Sequence, residues 1–77
     1  MKLVILIPAY NEEKKIEKTV LDIPREIAGI DEVKILVVDD GSTDQTKNLA
    51  DKSGADKIIS HKRNLGVGAA FMTGIRN

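Results

Sequence analysis

The chain has no cysteine and no tryptophan, and only one tyrosine and one phenylalanine. Without cysteine there is no disulfide framework and no thiolate metal site, and a reducing, cytoplasmic setting is the expectation. With so few aromatic rings there is no platform on which single-stranded bases would stack. An excess of charge of one sign is also missing. Twelve basic residues balance twelve acidic ones, so the basic surplus of a nucleic-acid-binding protein is absent. Long hydrophobic runs are lacking too. The apolar run from Leu3 to Ile7 falls far short of the ~20 residues that span a bilayer. Preceded by Met1-Lys2, that run superficially resembles a signal peptide, but Pro8-Ala9-Tyr10-Asn11-Glu12-Glu13 is not a small-residue cleavage site. A buried strand is the better reading, and no membrane segment is expected in this chain.

What is present fits one small globular domain. Seventy-seven residues, 42% of them hydrophobic, exceed the apolar content of a disordered chain. A domain of this size buries only about 60% of its unfolded surface, which leaves a thin stability margin. Leu3 to Ile7 and Ile35 to Val38 are unbroken aliphatic runs, as expected of parallel strands covered on both faces. Pro8, which cannot donate to a ladder, is expected to close the first. Asp56 to Ser60 reads as a third, weaker strand.

Between the strands the period changes. Ile16, Val20, Ile23 and Ile27 form one helical stripe within Glu12 to Ala28. Asn11 is the expected N-cap, Pro24 an expected kink or restart, and Gly29 the stop. Ser42-Thr43-Asp44-Gln45 matches a capping box for a short helix that ends at Ser53-Gly54. Leu49 and Ala50 supply its thin apolar face. Leu65 to Arg76 carries Val67, Phe71 and Ile75 at helical spacing. Gly66, Gly68 and Gly74 lower its helix propensity and point to close approach of other groups. The order β-α-β-α-β-α, with long parallel crossovers, predicts an α/β fold: half of a doubly wound, Rossmann-like sheet in three α/β/α layers.

Polar residues follow each strand. They are Pro8 to Glu13, then Asp39-Asp40-Gly41-Ser42, then His61 to Gly68. Parallel strands point the same way, so these groups converge on the C-terminal rim, where open α/β sheets bind ligands. Adjacent carboxylates at a buried strand end repel, so Asp39 and Asp40 require a use. One would accept from a base N–H or a ribose hydroxyl while the other fixes the loop or lies near a metal. The plainer alternative is that both cap the next helix. Lys62 and Arg63 would neutralise a diphosphate or form a solvated basic pair. Tyr10 would stack on a base or cover a strand end. His61, the only histidine, has no second ligand beside it and reads as structural or exposed. Gly66-Val67-Gly68 echoes a dinucleotide fingerprint, but it follows the third strand and Phe71 replaces the last small residue, so an NAD site is set aside. A phosphoacceptor receiver is also set aside, because Pro8-Ala9 and His61-Lys62 occupy the places where its acidic residues would stand.

Taken together, the three segments resemble family 2 glycosyltransferases of the GT-A fold, nearest to the dolichyl- or polyprenyl-phosphate mannose and glucose synthases. Ile7 to Glu13 looks like that family's opening motif, Val37 to Asp44 like its first aspartate motif, and Asn64 to Ala70 like its glycine-rich third segment. The resemblance implies a nucleotide-sugar donor, UDP- or GDP-hexose. Pro8, Ala9, Tyr10, Glu12, Val38 and Asp40 would surround the nucleoside, with Asp39 and the segment carrying Arg63, Asn64, Gly66 and Gly68 completing the pocket. It also implies hexosyl transfer to a lipid phosphate or other hydroxyl, with Mn²⁺ or Mg²⁺ in the complete enzyme. The family's Asp-x-Asp metal motif and catalytic base follow later strands, and this sequence ends before them. Residues 1–77 are therefore expected to be the donor-nucleotide half of such a domain, with no catalytic residue and no metal ligand of its own. The first strand would lack its neighbour, so Leu3 to Ile7 is expected to pair with a second copy. The competing expectation is a catalytically inactive structural or interaction module that retains the fold.

Overall fold

The computed structural model describes residues 1–76. Its elements run β1 (Lys2–Ala9), α1 (Ile16–Leu21), β2 (Glu32–Asp39), α2 (Thr46–Lys52), β3 (Lys57–Ser60) and α3 (Val67–Arg76). The sheet order is β1-β2-β3 with both pairings parallel; Ile5 is opposite Ile35 and Val38 opposite Ile59. Alternation along the strands divides the core. Ile35 and Val37 pack with Ile16 and Val20 of α1 and Ala50 of α2, while Leu36 and Val38 pack with Ala70 of α3. Two helices therefore cover one face and the third crosses to the other, giving the expected three layers.

Pro8 does not close β1. The Met1 and Ala9 carbonyls accept from Asp31 and Asp40 (2.8 Å each), so odd-numbered residues bond to β2. By alternation the N–H that Pro8 lacks would face the open edge, where proline is tolerated.

The first helix is much shorter than its stripe predicts. It spans six residues and ends at Leu21, ahead of Pro24, so there is no kinked continuation. Asn11 does not cap it. Asn11 adopts φ +49°, a left-handed conformation that Asn tolerates, and its side chain serves another loop. The following segment is held by Arg25, whose Nη1 donates to Asp56 Oδ2 (2.7 Å) and the Val33 carbonyl (3.1 Å), and whose Nη2 donates to the Gly54 carbonyl. Asp56 also accepts from Ile35 N–H (2.7 Å). The backbone bond from Ile35 and the Arg25 bond outweigh burial and hold the Asp56 carboxyl below the usual carboxylate range. Arg25 and Asp56 carried no signal as isolated residues, because they meet across 31 positions of sequence.

The last helix turns its small residues, and not its stripe of large apolar ones, to the sheet. Val67 and Ile75 are 64% and 73% exposed, whereas Ala70 and Gly74 are buried. A Cβ at Gly74 would lie 2.3 Å from Leu6 Cδ1. The small side lets the helix lie close to the sheet, and the four-residue stripe marks the helix without marking its inner face.

Candidate functional site

The three polar segments do meet at the C-terminal rim, and hydrogen bonds between them explain why. The loop after β1 is laced to the loop after β2. Asn11 N–H donates to Ser42 Oγ (2.8 Å), and Thr43 N–H donates back to Asn11 Oδ1 (2.8 Å). Glu12 N–H donates to the buried Thr46 Oγ1 (2.8 Å) and Gln45 N–H to Glu13 Oε2 (3.1 Å). The capping box read from Ser42 and Gln45 is therefore not formed. Ser42 serves Asn11, and Asp44 Oδ1 accepts Thr46 N–H (2.9 Å) at the start of α2. Burial opposes ionisation of Asp44, but its bonds from Thr46 and Glu13 outweigh it and hold the carboxyl below the ordinary range.

The loop after β2 is fixed to the loop after β3 by Asp40 and Gly41. Asp39 and Asp40 are 4% and 3% exposed, and as adjacent residues their side chains project to opposite faces, which relieves their repulsion. Asp39 Oδ1 accepts from Ser42 N–H (3.3 Å). Asp40 Oδ1 accepts from Leu65 N–H (2.9 Å) and meets His61 Nδ1 (2.6 Å), and Oδ2 accepts from Gly66 N–H (2.8 Å). Burial pushes the Asp40 carboxyl up. The His61 hydrogen bond, the two amides and the nearby imidazole outweigh it, so the carboxyl stays below its ordinary value. Asp40 thus performs the loop-fixing half of the expected division of labour. It caps neither of α2's first amides; the amides it takes precede α3. At Gly41 (φ +77°) the backbone of Arg63 and Asn64 crosses so closely that a Cβ would lie 2.2 Å from Arg63 C.

These braces frame a cleft of about 250 Å³ lined by Pro8, Ala9, Tyr10, Glu12, Asp40, Asn64, Val67 and Ala70. Six of the sequence-selected residues line it. Val38 lies beneath it in the α3-side core. Asp39, Arg63, Gly66 and Gly68 are outside its lining. A Cβ added at Gly66 (φ +99°) or at Gly68 would meet nothing within 4 Å, so of the three glycines expected to be closely approached only Gly74 is, and the other close approach is at Gly41. Val67 and Ala70 were missed as lining residues, because only the path of α3 brings them there. His61 was read as structural or exposed; it is structural, with Nε2 2.7 Å from Thr73 Oγ1. A larger groove of about 560 Å³, lined by Lys2, Val4, Leu6, Lys34, Leu36 and Lys57 among others, lies toward the other end of the strands, away from these loops.

Among the described residues no three His, Asp or Glu side chains converge as a metal would require. Asp39 and Asp40 face apart, and Asp40 is occupied by two amides and a histidine. The carboxylates of the described residues do not form a divalent-cation set, and no chemistry through a metal follows from them.

A half of a doubly wound sheet, with a cleft where its strand-end loops meet, places the chain in the class of open α/β domains whose ligands bind at the carboxyl ends of the strands. The chain belongs to glycosyl transferase family 2, whose model matches residues 4–77. It is 40% identical over 72 residues to an uncharacterized protein of Methanocaldococcus jannaschii, covering 94% of this chain and 28% of that protein. It is 37% identical over 75 residues to the polyprenol monophosphomannose synthase of Mycolicibacterium smegmatis, covering 91% and 27%. Among solved structures it resembles glucosyl-3-phosphoglycerate synthase from Mycobacterium tuberculosis in complex with Mg²⁺ and UDP. There the TM-score is 0.72 and the identity 30%, over 96% of this chain and 28% of that one. The chain thus spans less than a third of the length of these relatives.

Proposed function

We propose that residues 1–77 are the donor-nucleotide half of a GT-A glycosyltransferase domain, and that the cleft at the strand ends takes the nucleoside diphosphate of a UDP- or GDP-hexose. The observation that carries this reading is the meeting of the three motif loops in one cleft, in a chain of this family. Pro8, Ala9, Tyr10, Glu12 and Asn64 form the receiving surface, with Tyr10, 45% exposed, offering a ring face to the base. Asp40 and Val38 support it from within. Asp39, Arg63, Gly66 and Gly68 stand beside it, where Arg63 would meet diphosphate charge. The parent reaction is hexosyl transfer to a lipid phosphate or another hydroxyl. Support for the acceptor comes from the relative named for polyprenol monophosphomannose, and for the donor from the UDP of the structural neighbour. In the complete enzyme Mg²⁺ or Mn²⁺ would be held by residues outside this chain.

The reading includes self-association through β1. Support comes from its place at the sheet edge and from Val4, 52% exposed beside the exposed Ile75. An unpaired apolar edge is a template for another strand.

Calorimetric titration with UDP, GDP and their hexose conjugates, with and without Mn²⁺, tests the donor reading. Saturable binding at one site per chain is expected. A folded sample that binds none of them would leave the inactive-module alternative.

A further inference from the structure

We infer that His61 is a positioning residue for this cleft: through Asp40 it sets the backbone of Leu65 and Gly66, and through Thr73 it ties that loop to α3. The ligand-binding part of this inference rests on the nucleotide reading above. The His61 side chain is 10% exposed and that of Asp40 5%. An ionised carboxylate can only accept, so the imidazole carries its proton on Nδ1 and donates it to Asp40 Oδ1. The same Oδ1 takes Leu65 N–H, and Oδ2 takes Gly66 N–H. The end of β2, the end of β3 and the entry to α3 therefore meet at one carboxylate. The second imidazole nitrogen lies 2.7 Å from the Thr73 hydroxyl, nearly two turns into α3. Asn64 and Val67, which flank the Leu65-Gly66 pair in sequence, both line the cleft. A shift of that pair moves one wall of the cleft.

A threonine, a histidine and an aspartate in this order also describe the proton relay of some hydrolases. That reading fails on the surroundings. An oxyanion site needs donors aimed at open space, whereas the Leu65 and Gly66 amides are aimed at the Asp40 carboxylate, and Thr73 sits mid-helix. The chain of contacts is a brace.

The two ring nitrogens can be separated by substitution, because the amide nitrogen of Asn reaches the position of Nδ1 and that of Gln the position of Nε2. His61→Asn keeps the Asp40 bond, His61→Gln keeps only the Thr73 side, and His61→Phe keeps the ring without either. Each variant of the 77-residue chain is studied at a temperature where circular dichroism shows it folded. Two quantities are read: amide hydrogen exchange at Leu65 and Gly66, with Ile35 and Val37 as core references, and the Kd for UDP. His61→Phe and His61→Gln are expected to speed exchange at Leu65 and Gly66 about tenfold beyond any change at the references, and to weaken UDP about tenfold, the scale of one charge-assisted hydrogen bond. His61→Asn should leave both within about threefold. Exchange at Leu65 and Gly66 that moves only in step with Ile35 and Val37 overturns the inference. So does a His61→Asn variant that behaves like His61→Gln, which decides the matter even if His61→Phe does not fold. Loosened amides with unchanged UDP affinity overturn the link to the cleft. If the parent chain binds no UDP, the nucleotide reading fails while the exchange measurement still decides the role of His61.

Discussion

At Gly41 a Cβ would meet the Arg63 carbonyl carbon at 2.2 Å, and at Gly74 it would meet the Leu6 methyls at 2.3 and 2.7 Å. The distances are alike, but the neighbours are not. Arg63 offers backbone that cannot turn aside, and Gly41 also has a positive φ. Gly41→Ala therefore combines strain with overpacking and should cost about 3 kcal/mol or more, much of a small domain's stability. At Gly74 the obstacle is the end of a partly buried leucine beside an open groove, and alanine gains about 1 kcal/mol of helix propensity. Gly74→Ala should therefore change stability by no more than about 1 kcal/mol. Urea unfolding of the two variants checks the contrast. In sequence both are glycines near a loop or helix, and only the path of a distant segment separates them. The same holds for His61. The lack of a second ligand beside it made it a poor metal-site candidate, but its contacts with Asp40 and Thr73, 21 and 12 positions away, are products of the fold.

The strands and the end of α2 were legible because their signals are local: two aliphatic runs, a thin Leu49-Ala50 face and Gly54 at φ +104°. The helix starts were misread for a physical reason. Asn11, Ser42 and Asp44 are residues that cap helices, and their side chains do satisfy backbone amides, but Asn11 and Ser42 satisfy those of a neighbouring loop. A sequence window cannot distinguish the two uses. The loops they lace are held by carboxylates, and this gives the fold an acid dependence. Asp40, Asp44 and Asp56 all sit below the usual carboxylate range when folded. Between the folded and unfolded values the unfolded chain binds more protons, so stability rises with pH there. The contribution is present above the unfolded value of about 3.9 and is lost as pH falls through the folded values. The urea midpoint should accordingly decline below about pH 4. Asp56→Asn should lower the midpoint at pH 7 and make the acid decline shallower, as measured by urea titrations across pH 2 to 7.

At the scale of the whole molecule, the sheet order and the change of face at α3 put the cleft beside β1, at the edge of the sheet. The convergence of the three loops was legible from strand direction alone. The pairing of Asp40 with His61 and the placing of Val67 and Ala70 in the cleft wall were not, because they depend on how the loop after β3 and α3 lie across the sheet. The outward N–H groups of β1 fall on its even-numbered residues, so Val4→Pro removes one without touching the bonds to β2. If copies associate through β1, sedimentation velocity should show dimers for the parent chain and monomers for Val4→Pro, with both folded by circular dichroism. A folded parent that stays monomeric at high concentration removes that proposal and leaves the donor site untouched.

Whether the cleft between the three strand-end loops receives the nucleotide can be read from amide chemical-shift changes of the ¹⁵N-labelled chain during titration with UDP and with GDP. Saturable shifts are expected for at least one of the two nucleotides, concentrated at Ala9, Tyr10, Glu12, Asp40 and Asn64, with Lys34 and Lys57 at the far groove unmoved. Tyr10→Ala should weaken the same titration about tenfold, the scale of one stacked base, without changing the urea midpoint. No saturable shifts with either nucleotide, or shifts confined to the groove beside Lys34 and Lys57, would contradict nucleotide binding in this cleft.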